Sequence, residues 1–287
     1  MIGPCWVVVT ALVSLPGCGY LRHRSGDRME REARLVQASS FGAAAVAYAE
    51  HRPDYAPGAV RWALEPAPGP RVLDLGAGTG KLTGMLVALG AEVVAVEPDP
   101  AMLTELRRAL PTVRALPGSA EAIPLPDASV HAVLAGNALH WFDMAVAEPE
   151  MARVLAPGGI LAGLWNVIDN RVDWVAGLER VSGSAAIGPR DTLSSWRAAT
   201  AGVHLSHAGP VARFGSPDQA EFGHGQRRTA DSLVATLGTR AGLLVMSEQQ
   251  RAATLGRIRA FLASRPETTS GEFTLPMLTG VLRLRQL

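Results

Sequence analysis

The chain has 287 residues, of which 48% are hydrophobic and 18% charged, so it can bury a sizeable core and is not extensively disordered. Its 27 Lys and Arg residues nearly balance 26 Asp and Glu residues, which leaves a formal net charge of +1. A protein whose main partner is a nucleic-acid phosphate backbone usually carries a marked basic excess, so this composition favours a small or neutral partner.

The first forty residues differ in composition from the rest. An apolar run covers residues 5–16, about a dozen positions where a membrane-spanning helix needs roughly 20. Residues 15–18 (Leu-Pro-Gly-Cys) resemble a bacterial lipoprotein cleavage box with Cys18 as the lipidated residue, but no basic side chain precedes the run. We expect residues 1–40 to be an extension outside the core, with Met29 the more natural start; an export signal or a local helix is the alternative. Both cysteines lie in this segment, so the remainder suits a reducing compartment.

Strands and helices alternate through the remainder of the chain. Apolar runs of strand length alternate with stretches of helical spacing, and Gly90 and the Pro-Gly-Gly at residues 157–159 each end a helix. Strands are predicted at residues 71–75, 91–96, 113–116, 130–135, 160–165 and 273–284, and helices at 81–89, 99–110, 145–155, 230–237 and 248–262. Pro276 indicates that the last strand lies at an edge or bend. This order predicts an α/β fold with a mostly parallel, doubly wound sheet and helices on both faces.

A glycine-rich turn follows the first predicted strand. Residues 74–80 (DLGAGTG) place three glycines at every second position, where the backbone can approach a ligand and the first helical amides are free to donate. A dinucleotide-binding loop needs glycine where Lys81 stands, and the P-loop spacing fails as well. Glu97 ends the next strand, 21 positions after Gly76, where a carboxylate can accept hydrogen bonds from both ribose hydroxyls of a nucleoside. A tight connection and a solvated strand-end acid are the alternatives without a ligand.

Four segments carry a family resemblance: VLDLGAGTG at residues 72–80, VVAVEPDPAML at 93–103, GSAEAIPLPDASV at 118–130 and RVLAPGGILAGLW at 153–165. Together they resemble the class I S-adenosylmethionine-dependent methyltransferases. The resemblance implies one Rossmann-like domain over residues 41–287, with a seven-stranded, mostly parallel sheet, an antiparallel last strand and a helical cover. FGAAAVAYAEHRPDY at residues 41–55 and ALHWFD at 138–143 look like the small-molecule branch that contains trans-aconitate and ubiquinone-biosynthesis methyltransferases. Residues 166–215 are then expected to be an insertion that covers the acceptor pocket.

The resemblance also implies S-adenosylmethionine as the cofactor and assigns its contacts. Residues 119–121 are expected to flank the adenine ring, with Met102 near it. The full set of implied cofactor contacts is Asp74, Gly76, Ala77, Gly78, Thr79, Gly80, Glu97, Pro98, Met102, Ser119, Ala120, Glu121 and Asn137. Tyr48, Arg52 and Tyr55 are expected to form a lid over the cofactor; an amphipathic helix that caps the sheet edge is the alternative.

Methyl transfer from a sulfonium requires few catalytic side chains. The donor is already activated, so the protein mainly aligns the acceptor, methyl carbon and sulfur and excludes water. A general base is needed only when the acceptor must lose a proton, and the acceptor atom (O, N or C) is left open. His140 is the candidate base because it follows the fourth strand at the carboxyl edge of the sheet, and Trp141 is grouped with it as a substrate contact. The alternative is that both side chains pack against or hydrogen-bond the loop.

Other functions fit the sequence less well. The loop spacing disfavours an NAD(P)-dependent oxidoreductase, the scatter of arginines over residues 167–287 disfavours an RNA methyltransferase, and the complete glycine loop disfavours a module without turnover. His204, His207 and His224 lack zinc-motif spacing, so no metal is expected. Residues 238–241 (Gly-Thr-Arg-Ala) stand where the family often has a Ser-Tyr-like pair. The substrates of characterised members are therefore not assigned to this chain. We expect a cytoplasmic methyltransferase with a small-molecule acceptor and no nucleic-acid or membrane partner.

Overall fold

Seven strands form one mixed sheet in the part of the chain that the structure describes. The structure is a computed structural model that describes residues 52–188, 191–193, 196–200 and 213–287. The strands are β1 (Arg71–Leu75), β2 (Glu92–Glu97), β3 (Arg114–Pro117), β4 (Val130–Gly136), β5 (Leu155–Ile168), β6 (Asp218–Thr229) and β7 (Glu272–Arg285). Their order across the sheet is β3, β2, β1, β4, β5, β7, β6, and β7 runs antiparallel to both neighbours. The predicted fold class, a mostly parallel sheet with an antiparallel last strand, is confirmed.

Helices pack on both faces of this sheet. They are α1 (Pro57–Leu64), α2 (Lys81–Ala88), α3 (Pro100–Ala109), α4 (Met144–Val154), α5 (Asp173–Ser182), α6 (Trp196–Thr200), α7 (Ala230–Gly238), α8 (Ala241–Leu244), α9 (Glu248–Ala263) and α10 (Pro266–Thr269). Successive residues of β1 point to opposite faces: Val72 packs with α1 and α2, whereas Leu73 packs in the cluster that contains α4. A third apolar cluster joins α5, α7 and α9 to the first half of β7. With both faces covered, a ligand reaches the sheet at the carboxyl ends of the parallel strands.

The last two strands differ from the sequence prediction. Pro276 indicates an edge or a bend, yet β7 lies between β5 and β6. The carbonyl of Pro276 accepts the N–H of Asp169 just where β5 ends, so the missing N–H of Pro276 faces the same side and interrupts no ladder. β6 escapes prediction because it is an edge strand of mostly exposed or half-buried residues with glycine at two positions. β5 also continues to Ile168, three residues past its predicted end at Trp165.

Several predictions lie outside the described residues. These are the extension at residues 1–40 with its alternatives, Tyr48 of the expected lid, His204 and His207, and parts of the expected insertion at residues 166–215. All described residues belong to one compact unit of the chain. None of the described helices combines the length and the apolar character needed to cross a membrane.

Candidate functional site

The glycine-rich turn between β1 and α2 folds back onto β2. Gly76, Gly78 and Gly80 have φ values of +70°, +56° and +90°, a region that side chains rarely adopt. The N–H groups of Gly76 and Ala77 donate to the carbonyl of Val96 at 2.9 and 3.1 Å. A Cβ at Gly76 would lie 2.8 Å from the Cβ of Ala138, whereas a Cβ at Gly78 would meet no atom within 4 Å. Gly76 is therefore required for packing, and Gly78 leaves open space through which a ligand can approach the backbone.

Glu97, at the end of β2, holds this turn in place. Its Oε2 accepts the N–H of Gly78 at 2.8 Å, and its Oε1 accepts the N–H of Asp99 at 2.9 Å. Asp99 in turn caps α3 by accepting the N–H groups of Ala101 and Met102. Burial raises the pKa of the Glu97 carboxyl above its ordinary value, and the two backbone donors oppose that rise. Each oxygen keeps one further acceptor position, so Glu97 can still bind a pair of hydroxyl groups.

Asp74 is a buried carboxyl at the base of the turn. The hydroxyl of Thr83 donates to its Oδ2 at 2.6 Å, while its Oδ1 has no hydrogen-bond partner among the described residues. Burial, with a smaller contribution from the charge of Glu97, raises the pKa of Asp74 to about 7, against the lowering effect of the Thr83 hydrogen bond. An unpartnered carboxylate oxygen in a buried position is costly, which makes this atom a strong acceptor for a cationic ligand group.

A cavity opens beside Asp74 and the turn. Its empty volume, including the part open to solvent, is about 400 Å³. Its lining consists of Arg52, Pro53, Tyr55, Asp74, Gly76, Ala77, Gly78, Thr79, Lys81, Leu82, Gly136 and Asn137. The structure thus brings together the predicted loop residues 74 and 76–79, Asn137 and two of the three expected lid residues. Gly80 does not line the cavity and faces Leu106 and Leu110 instead. Glu97 adjoins the cavity through its hydrogen bond to Gly78.

Asn137 connects the end of β4 to the lid side of the cavity. It has a φ of +51°, and its Nδ2 donates to the hydroxyl of Tyr55 at 3.1 Å. Its Oδ1 accepts the backbone N–H of Asn166 at 3.2 Å. A Cβ at Gly136 would lie 2.5 Å from the Tyr55 hydroxyl, so glycine is needed there for the tyrosine to reach Asn137. The Tyr55 side chain is therefore fixed against the cavity by the strand end beneath it.

The predicted adenine contacts lie apart from the cavity lining. Met102 and Ala120 are buried in the core, and Ala120 belongs to the same apolar cluster as Val96 of β2. The Oε1 of Glu121 accepts the N–H of Asp143 at 2.9 Å, which ties the loop after β3 to the start of α4. Pro98 and Met102 follow β2, the neighbour of β1, whereas residues 119–121 follow β3 on the other side of β2. The contact of these residues with the cofactor stays a prediction.

His140 lies in a single 3-10 turn, Leu139–Trp141, after β4. Its Nδ1 is 3.3 Å from the Nε1 of Trp165, and since an indole N–H can only donate, Nδ1 is the acceptor. The neutral ring therefore carries its hydrogen on Nε2, an assignment that follows from this hydrogen bond. The rings of His140 and Trp141 are 4.8 Å apart and inclined by 45°. His140 can act as a base through Nε2 only after its hydrogen bond with Trp165 is broken.

Two contributors escaped the sequence reasoning. Asn166 is 3% exposed and contacts both Asn137 and the backbone of residues 53 and 54. The sequence signal for Asn166 is a single polar residue inside the apolar run of β5. Lys81 lines the cavity and forms an ion pair with Asp54 at 3.4 Å. In the sequence, Lys81 served only to exclude a dinucleotide-binding loop. Within the described ranges, no group of three His, Cys, Asp or Glu side chains is arranged to hold a metal ion.

The strand order, the glycine turn after β1 and the acid at the end of β2 define a class I S-adenosylmethionine-dependent methyltransferase. Comparisons with known proteins agree. A family model described as "Methyltransferase domain" matches residues 73–163. An uncharacterized methyltransferase of Mycobacterium tuberculosis is 43% identical over 245 residues, which cover 85% of this chain and 94% of the relative. The chain therefore belongs to this methyltransferase family.

Two further matches extend the comparison. A demethylmenaquinone methyltransferase of Chlorobaculum tepidum is 39% identical over 92 residues, or 31% of this chain and 38% of the relative. The solved structure of a candidate Type II methyltransferase from Anaeromyxobacter dehalogenans superimposes with a TM-score of 0.60 and 26% identity. That superposition covers 82% of this chain and 97% of the Anaeromyxobacter chain. It supports the fold over nearly the whole length of that protein.

Proposed function

We propose that this chain binds S-adenosylmethionine in the cavity beside Asp74 and transfers its methyl group to a small-molecule acceptor. The observation that carries the proposal is the arrangement of Glu97 and Gly78. A buried carboxylate at the end of β2 is held by the backbone of a glycine turn after β1, and that turn is open on the side of the cavity. This is where an open α/β sheet binds a nucleoside.

The residues around the cavity fit the amino group, the carboxylate and the ribose of the cofactor. Asp74 offers its unpartnered Oδ1 to the positively charged amino group, and Glu97 has acceptor positions for the ribose hydroxyls. Arg52 and Lys81 line the same cavity and supply positive charge for the carboxylate. Met102 and residues 119–121 are proposed to contact the adenine. When bound, S-adenosylmethionine supplies a methyl group already activated by its sulfonium, so the task of the chain is to orient the acceptor and exclude water.

A small acceptor is favoured by the charge and by a relative. The net charge of +1 gives no sign of a polyanionic partner, and the Chlorobaculum relative is named for its action on demethylmenaquinone. We propose that the acceptor lies beside the carboxyl ends of β4 and β5, near His140 and Trp141. The proposed cover begins after Ile168, where β5 ends. Because the Nδ1 of His140 is engaged by Trp165, we expect an acceptor atom that needs no strong base.

Label transfer tests the proposal. Purified protein is incubated with methyl-labelled S-adenosylmethionine and either the small-molecule or the macromolecular fraction of a bacterial extract. Label is expected in a product of the small-molecule fraction and is expected to disappear with the Glu97→Ala variant. Label that enters only RNA or protein would contradict the choice of acceptor, and no label in either fraction would contradict the transfer itself.

A further inference from the structure

Residues 52–56, which we call the strap, form the outer wall of the cavity. Arg52, Pro53 and Tyr55 of the strap line it directly. The Nη2 of Arg52 donates to the carbonyl of Thr239 at 3.2 Å, in the segment where the sequence departs from the family pattern. That contact uses the backbone of Thr239, so the identity of its side chain does not determine it. What holds the rest of the strap in place is a buried polar network on β5, β6 and β7.

Thr279 of β7 is the centre of this network. It is fully buried, and its Oγ1 accepts the N–H of Ala56 at 2.8 Å. The same hydroxyl donates to the Oδ1 of Asn166 at 2.8 Å. A hydroxyl has one hydrogen to donate and can also accept, so both contacts are made at once. The strap is thereby linked through one oxygen atom to the end of β5.

Asn166 binds the strap directly through its side-chain amide. Its Nδ2 donates to the carbonyls of Pro53 and Asp54, each at 3.2 Å. Because its Oδ1 accepts the hydroxyl of Thr279, the side chain of Asn166 completes a ring of hydrogen bonds. The ring runs from the N–H of Ala56 through Thr279 and Asn166 to the carbonyls of the strap. Such a buried ring is strengthened by its low-dielectric surroundings and costly to break at any one member.

The edge strand β6 adds a second support. The Nε2 of Gln226 donates to the carbonyl of Asp54 at 3.2 Å and lies 3.4 Å from the Nδ1 of His224. The Nε2 of His224 lies 3.4 Å from the Thr279 hydroxyl, whose hydrogen is already given to Asn166. His224 therefore donates from Nε2 and accepts at Nδ1, which describes a neutral ring.

We propose that Thr279 and Asn166 are positioning residues for the cofactor, which they serve by fixing the strap and with it Arg52 and Tyr55. The inference rests on the proposed function, since it takes the cavity as the cofactor site. Neither side chain lines the cavity. Their effect is to fix the strap before the cofactor binds, so that binding does not have to order it. Without them, the strap detaches and the cofactor dissociates faster.

A matched pair of substitutions tests this role. Thr279→Val keeps the shape of the side chain but removes the hydrogen bonds with Ala56, Asn166 and His224, whereas Thr279→Ser keeps all three. We expect Thr279→Val to raise the dissociation constant of S-adenosylhomocysteine by about tenfold or more, because the ring of hydrogen bonds through Ala56 and Asn166 is broken. Thr279→Ser should restore an affinity close to that of the unchanged protein. Amide hydrogen exchange in cofactor-free protein should increase at residues 53–56 in the Val variant while the neighbouring strands stay protected.

Controls separate this inference from the proposed function. Thr254→Val removes a buried hydroxyl on α9, which binds Arg257 and not the strap, and should leave cofactor affinity unchanged. If the unchanged protein fails to bind S-adenosylhomocysteine, the proposed function fails, and exchange at residues 53–56 still decides whether Thr279 fixes the strap. If the unchanged protein binds and the Val and Ser variants bind equally well, the positioning role is wrong. If the Val variant unfolds, Asn166→Asp takes its place. This variant keeps the acceptor for Thr279 but loses the donors to Pro53 and Asp54. An affinity for S-adenosylhomocysteine equal to that of the unchanged protein would also contradict the positioning role.

Discussion

Replacing Asp74 with Asn should stabilise the cofactor-free protein above neutral pH while weakening its binding of S-adenosylmethionine. The pKa of Asp74 is raised from 3.8 to about 7 in the folded chain, mainly by burial. Between these values the folded state keeps a proton that the unfolded state has lost. Stability contributed by this group is therefore lost as pH rises through that window, by about 4 kcal/mol in total.

The Asn variant removes this pH dependence. Its amide oxygen can still accept the Thr83 hydroxyl, but its NH₂ group takes the place of the unpartnered Oδ1. An unpartnered buried donor costs about 1–3 kcal/mol, so the net gain at pH 8 should be about 1–3 kcal/mol. The cost of the amide does not vary with pH. The stability difference between variant and unchanged protein should therefore grow by about 3 kcal/mol from pH 5 to pH 8.

Urea unfolding at the two pH values measures this difference, with calorimetric titration of S-adenosylhomocysteine on the same samples. We expect the variant to be the more stable protein at pH 8 and the weaker binder, because the neutral amide cannot match the charge of the ligand's amino group. Binding to the unchanged protein should also weaken as pH falls below about 7, where Asp74 gains its proton. A stability difference that is the same at pH 5 and pH 8 would refute the argument from burial.

Three other substitutions test the site. Glu97→Gln places an NH₂ group against a backbone N–H donor, so it should weaken S-adenosylhomocysteine binding by more than about tenfold. Thermal shift at matched ligand concentrations measures this change, and unchanged affinity would show that Glu97 is not part of the site. Gly78→Ala has open space but a positive φ, so it should fold and bind weakly, whereas Gly76→Ala clashes with Ala138 and should lower the melting temperature much further; equal melting temperatures would contradict the two roles. His140→Asn should lower the rate of methyl transfer less than the roughly 100-fold or greater loss typical of a general base, and a larger loss would establish His140 as the base.

The sequence was sufficient for the part of the site built from local spacing. The three glycines and Glu97 are separated by about one strand and one helix, and their geometry follows from the β-α-β order alone. The positive φ values of Gly76, Gly78 and Gly80 were expected from the same pattern.

The remainder depends on contacts between distant residues. Asn166 lies 113 positions from Pro53, and Thr279 lies 223 positions from Ala56, so no local pattern could show that they meet. β6 was missed because an edge strand needs no apolar run, and the position of β7 was misjudged because Pro276 meets the end of β5 and not a continuing ladder. The positions of these segments are determined by pairing between strands that are distant in the sequence, and the periodicity of apolar residues does not reveal such pairing.

Calorimetric titration of the full chain with S-adenosylhomocysteine tests the central claim most directly. We predict one binding site per chain, loss of that binding in the Glu97→Ala variant, and no competition from NADH. Absence of binding, equal binding by the Glu97→Ala variant, or displacement by NADH would contradict a cofactor site built on the glycine turn and Glu97.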